Sequence, residues 1–151
     1  MKLDSLTNDN SRKWYLVYIL LYISLISSFL LGENSTGGAI KDYINHKNIS
    51  LDFRNNFYET FFNYEKYNTR HSPVLTIFLS FFEKIKLNDF FIRFIHLNIC
   101  LILPIYFYKS LNLLIKNKNI TFFLVSLLFI SPTFRTLSIW PDSRLLGLTL
   151  F

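Results

Sequence analysis

The chain contains one cysteine, Cys100, in an apolar stretch, which excludes an internal disulfide and a cysteine-rich metal cluster. Charge is scarce: 17% of the 151 residues are charged, against roughly 25% in an average globular domain. A disordered or strongly polar chain is therefore a poor fit. There is no glycine-rich loop to cradle a phosphate, because Gly37-Gly38 alone is a turn. No spacing of His, Cys and carboxylates makes a metal site, and no internal repeat or low-complexity linker is visible. The formal charge of +6 is not a nucleic-acid footprint either, since the 16 Lys and Arg residues are scattered and the main basic groups flank apolar blocks.

What is present is apolar sequence in long blocks. Trp14 to Leu31 has no charged residue and approaches the roughly 20 residues that cross about 30 Å of hydrocarbon. It predicts span one over 14–32, after a tail over 1–13; the run is too long for a cleaved signal peptide. Span two is expected over 90–108 and span three over 120–134, with Pro132 near its end. The tail holds Lys2, Arg12 and Lys13, and the connection 109–119 holds Lys109, Lys116 and Lys118 with no acid. Both are expected in the cytoplasm of a cell's inner or plasma membrane. Residues 33–71 carry five basic and five acidic side chains and can lie outside.

The outer loop, 33–89, has its own pattern. Phe53, Phe57 and Phe61 recur four apart, widened by Tyr58 and Phe62, which predicts an interfacial helix over about 51–65 capped by Ser50. Ser72-Pro73 predicts a second short helix, about 72–85. His96 and Asn98, inside span two, are expected to face protein. After a short outer loop, 135–141, residues 142–151 begin a fourth apolar block. The expectation is an all-α, polytopic helical membrane protein, present as the N-terminal fragment of a longer chain.

Polar residues at the expected outer face form two groups. One is Gly37-Gly38-Ala39-Ile40-Lys41-Asp42-Tyr43, followed by Arg70-His71-Ser72-Pro73. The other is Ser131-Pro132-Thr133-Phe134-Arg135, leading to Trp140-Pro141-Asp142-Ser143-Arg144. With Arg93 in span two, this order resembles the N-terminal part of the polyprenyl-phosphate-sugar-dependent membrane glycosyltransferases of the GT-C superfamily, the protein O-mannosyltransferase and aminoarabinose-transferase kind. Those proteins have an acid in a long first outer loop, a His-Pro-Pro-like helix start, an Arg-bearing second span, and a Ser-Pro ending span three before an acid that opens span four. The family often has Asp-Glu where this chain has Asp42-Tyr43, and His-Pro-Pro where it has His71-Ser72-Pro73.

The resemblance implies sugar transfer from a polyprenyl-phosphate donor to a lipid, protein or glycan acceptor at the outer face, with no cofactor. Such chemistry needs a carboxylate to take the acceptor proton and cations to steady the departing phosphate. Asp42 is the expected base, and Asp142 orients the acceptor or a neighbouring cation. Arg70, Arg135 and Arg144 are the expected phosphate ligands, and Tyr43 and His71 line the site. Each residue also has a plainer reading. Asp42 fits a solvated loop acid and Asp142 a helix cap. Arg135 and Arg144 fit snorkelling to lipid phosphates, Arg70 fits a pair with Glu65, and His71 fits a helix-start hydrogen bonder. The rival class is a non-enzymatic membrane protein, a transporter segment or assembly subunit.

Overall fold

The computed structural model describes residues 3–69 and 71–150, with side chains from residue 13 onward. Arg70, expected on the donor phosphate, lies outside the described residues. Among the described residues the chain is all-helical: α1 Leu3–Leu31, α2 Ala39–Asn55, α3 Phe57–Phe62, α4 Val74–Lys84, α5 Asp89–Cys100, α6 Ile102–Leu114, α7 Lys118–Ile130, α8 Pro132–Ile139 and α9 Ser143–Leu150.

Two stretches are long and apolar enough to cross a membrane, Lys13–Leu31 and Asp89–Leu114. A third forms if α7 and α8, bent by 60° at their junction, are taken together. Leu16, Ile19, Leu20 and Ile23 form an outward row on α1, each more than half exposed, a pattern that lipid tolerates and water does not. α1 runs unbroken back into the expected tail as far as Leu3. It ends at Gly32, whose φ of +66° lets the Gly32 and Glu33 N–H groups bond back to the Phe29 and Ser28 carbonyls.

The α5–α6 span is interrupted at Leu101, just before Pro104, which has no N–H to give the Cys100 carbonyl. The bend after α7 also has a local cause. Ser131 takes an extended conformation and accepts the Phe134 N–H at 3.4 Å, and Pro132 opens α8. The expected loop over 135–141 is consequently mostly helix.

The outer segment departs most from expectation. The expected helix runs over about 51–65 with Ser50 as its cap, but α2 starts after Gly38 and stops at Asn56, whose φ of −147° and ψ of 80° break it. Ser50 lies inside α2, donating to the Lys47 carbonyl, and caps nothing. The break separates the phenylalanines: Phe53 is 2% exposed, whereas Phe57 and Phe61 are 43% and 46% exposed. α4 begins at Val74, one residue beyond Pro73, and the Ser72 hydroxyl accepts the Val74 N–H at 3.4 Å. Asn98 does not face protein either; it is exposed and satisfied by donating to the Phe94 carbonyl at 2.8 Å. His96 does, buried with its Nδ1 3.0 Å from the Ser138 carbonyl.

Two apolar clusters hold the helices. Leu25, Phe29, Leu97, Phe129, Phe134 and Ile139 join α1, α5, α7 and α8. Tyr43, Leu75, Leu79, Phe82, Ile92 and Leu146 join α2, α4, α5 and α9. Trp140 packs against both. Arg93 lies flat over its ring, 3.6 Å from the centroid, and donates to the Ile139 carbonyl at 3.1 Å. Trp14 stacks on Phe122 and donates to Asn119, so α1 and α7 run in the same direction. The ends of α1 and α8 and the start of α5 therefore meet at one end of the bundle, where the outer segment attaches.

Candidate functional site

At that end, side chains a hundred residues apart in sequence converge. α2 begins beside the exit of α1 and carries Asp42 in its first turn, where a carboxylate suits the helix dipole. α9 begins just after Asp142, whose backbone carbonyl accepts the Leu146 N–H and whose Oδ1 accepts the Arg144 N–H at 2.8 Å. Asp142 thus caps α9, and the cap aims Arg144 back across the gap. The Arg144 Nη2 donates to Asp142 Oδ2 at 2.7 Å and to Asp42 Oδ2 at 3.1 Å, while its Nε donates to Asp142 Oδ1 at 2.9 Å. Nη1 makes no hydrogen bond to a described residue.

Burial and charge distribute the roles. The Asp142 side chain is 2% exposed, the Asp42 side chain 46% and that of Arg144 55%. Burial pushes the Asp142 carboxyl up, but hydrogen bonds from the Arg144 side chain and backbone outweigh it and hold the group below its ordinary range. The Arg144 guanidinium is raised in turn, first by its bonds to Asp142. Asp42 and Arg144 line a groove of about 260 Å³ with Thr36, Gly38, Ala39, Thr133 and Leu137. The trio has two negative charges and one positive, so the groove offers a carboxylate acceptor, threonine hydroxyls and the free edge of a guanidinium.

Arg135 is not brought to this cluster. Thr133 and Leu137 share a face of α8 and line the groove, and Arg135, two residues from each, projects to the opposite side. There it bonds Glu33 at 3.0 Å through Nε, Ser24 and the Phe129 carbonyl through Nη1, and Ser24 and Ser28 through Nη2. Every N–H of this guanidinium is taken within the protein. Tyr43 does not line the groove either. It is 3% exposed, turned toward Trp140 and donating to Asp89 Oδ1 at 3.3 Å, and burial followed by Asp89 raises its hydroxyl. His71 does not line the groove, and its ring centroid is 5.5 Å from that of His46.

His46 was missed in the sequence, although it lies four residues after Asp42, the spacing of neighbours on one helical face. The signal was obscured because no helix was expected before Ser50. Glu33, the partner of Arg135, was also passed over, as were Thr36 and Thr133. Among the described residues no group of three or more His, Cys, Asp or Glu side chains could hold a metal ion.

Comparison of the chain with protein-family models, curated proteins and solved structures finds no match.

Proposed function

We propose that this chain forms the carboxylate side of a site that transfers a sugar from a polyprenyl-phosphate donor to a hydroxyl acceptor at the outer face of a membrane. The observation that carries the reading is the meeting of Asp42 and Asp142 on one guanidinium beside an open groove, at the end of the membrane-crossing helices. In this reading Asp42, the more exposed acid, takes the acceptor's proton, and Asp142 fixes Arg144 in place. The free Nη1 edge of Arg144 meets a phosphate oxygen of the donor. Arg135 has no donor left for a phosphate in this arrangement and serves to join α1 to α8. The basic residues at the opposite end, Lys13, Lys109, Lys116 and Lys118, suit a cytoplasmic side and leave the acids outside.

A second reading draws on the same bonds: a non-enzymatic membrane protein in which Asp42, Arg144 and Asp142 form a structural clamp. The two readings separate in reconstituted full chain given polyprenyl-phosphate hexoses and hydroxyl acceptors. Sugar transfer that Asp42→Asn abolishes while the thermal midpoint stays put supports the enzyme. A midpoint drop in a chain that transfers nothing supports the clamp.

A further inference from the structure

His46 follows Asp42 by one turn of α2, and side chains so spaced stand about 5–6 Å apart at Cβ. It is 2% exposed, and among the described residues its Nδ1 has no hydrogen-bond partner. Leaving a buried polar atom unpaired forfeits its hydration with nothing in return, and such an atom calls for an explanation. The imidazole stands nearly edge-on to the half-buried His71, at 66°. His46 is thus one helical turn from Asp42 and beside a half-buried ring just before α4. Asp42 lines the groove with Thr36 and Thr133, and neither histidine does.

Arg144 bonds both carboxylates. A base must hand on each proton it takes before it can take the next, so Asp42 needs a group behind it to receive one. We propose that His46 is the proton sink of this site: Asp42 takes the proton of the acceptor hydroxyl in the groove, and its side chain then turns along α2 to hand that proton to His46 Nδ1. The inference rests on the sugar-transfer reading. The acceptor O–H bond breaks and its oxygen bonds to the sugar's anomeric carbon. The bond from that carbon to the phosphate oxygen breaks, and its electron pair stays on the phosphate beside Arg144. The proton passes from Asp42 to His46 and leaves to water past His71, away from the bound donor.

The groups facing His46 are Asp42 on its own helix, His71 before α4, and Asp142 and Arg144 at the start of α9. Burial lowers its affinity for protons, and His71 and Arg144 add to this against the opposing pull of Asp142 and Asp42. His46 therefore begins neutral, with a lone pair free on Nδ1, while the two carboxylates stabilise the imidazolium once it forms.

The test measures transfer against pH in liposomes holding the full chain, with polyprenyl-phosphate hexoses as donors and short hydroxyl-bearing peptides or lipids as acceptors. Wild-type rate should fall on the acid side, with its midpoint lower than the ordinary histidine value of about 6.5. His46→Gln should be slower by about tenfold or more at neutral pH, the low end of or below what a lost proton-transfer group costs, and should lack that acid limb. His46→Ala, read on the fraction that elutes as wild type, should regain activity with added imidazole but not with pyrazole, a ring of the same size and far weaker basicity. Equal rescue by both rings, or a wild-type rate and pH profile in His46→Gln, overturns the proton sink. If Asp42→Asn is inactive in that case, the sugar-transfer reading stands without it. A wild-type chain that transfers no hexose from any donor overturns both.

Discussion

Arg135 and Arg144 are nine residues apart, and each meets carboxylate at the same end of the bundle, yet they are built to different ends. The Arg135 side chain is 16% exposed and faces one acid, Glu33, with every remaining N–H bonded to α1 or to the end of α7. Arg144 is 55% exposed, faces two acids, lines a groove, and has one guanidinium nitrogen unbonded among the described residues. Charge is balanced and donors are saturated in the first pair; in the second, negative charge is in excess and a donor is left over. A saturated ion pair can only hold structure, whereas an unsaturated one can also bind.

The largest expected effect tests the saturated pair. Arg135→Ala leaves Glu33 without its cation and uncouples α1 from α8, and breaking a mostly buried pair from one side costs about 3–5 kcal/mol. Thermal unfolding in lipid nanodiscs should show a large midpoint drop. A midpoint unchanged from wild type would mean that the pair is no clamp and that the contrast with Arg144 is unfounded.

Asp42→Asn should do the reverse. An exposed ion pair contributes roughly 0–1 kcal/mol, so the midpoint should hardly move, while loss of the proton-accepting group should slow sugar transfer by about 100-fold or more. Sugar release from a polyprenyl-phosphate donor, measured beside the unfolding curve, checks both halves. A normal rate would remove Asp42 from the chemistry.

Arg144→Leu falls between these two in stability. It strips the partner from the buried Asp142, but the gap lies open to water, so about 1–2 kcal/mol is expected. The Asp142 carboxyl should rise from its depressed position once the Arg144 side-chain bonds are gone, because burial, the largest influence, is then opposed mainly by the backbone N–H of residue 144. Infrared titration of the carboxyl band checks this, and an unmoved band would show that another group holds Asp142 ionised.

The long apolar blocks made the all-α class legible, and with it the helices long and apolar enough to cross a membrane, because such a helix advertises itself by length. Ser131-Pro132 likewise marks the bend, since a proline without its N–H and a capping hydroxyl act locally. α2 was not legible. Its buried face is Tyr43, His46, Ile49, Ser50 and Phe53, and two polar residues in that stripe conceal it from any reading by hydrophobic period, while the aromatics beyond Asn56 suggested a helix that begins too late. The two acids stood out by type and place. That Arg144 would join them and Arg135 would not depends on which way α8 and α9 turn after Ser131 and Asp142, a tertiary fact that residue order alone does not carry. His46 could have been found only after α2 was in place.

The smallest expected effect separates the two regions by acid. His46 is lowered below the ordinary histidine value, first by burial, so the unfolded chain binds that proton at a higher pH than the folded one does. Stability contributed there is present above about pH 6.5 and is lost progressively as pH falls toward the folded value. Glu33 behaves differently: burial raises it, but bonds from Ser28, Ser35 and Arg135 prevail and lower it below 4.5. Its contribution is present above the ordinary carboxylate range and is lost only as pH falls through the depressed value. On acidification the region around His46 should therefore loosen before the Arg135 clamp does. Hydrogen exchange at pH 5.5 and 7.5 should show faster opening in α2 and the start of α4, with the α1–α8 junction unchanged, and His46→Asn should erase the difference. Loosening at both places together would mean that the two ion-pair regions are one cooperative unit, and the distinction between holding and binding would have to be drawn elsewhere.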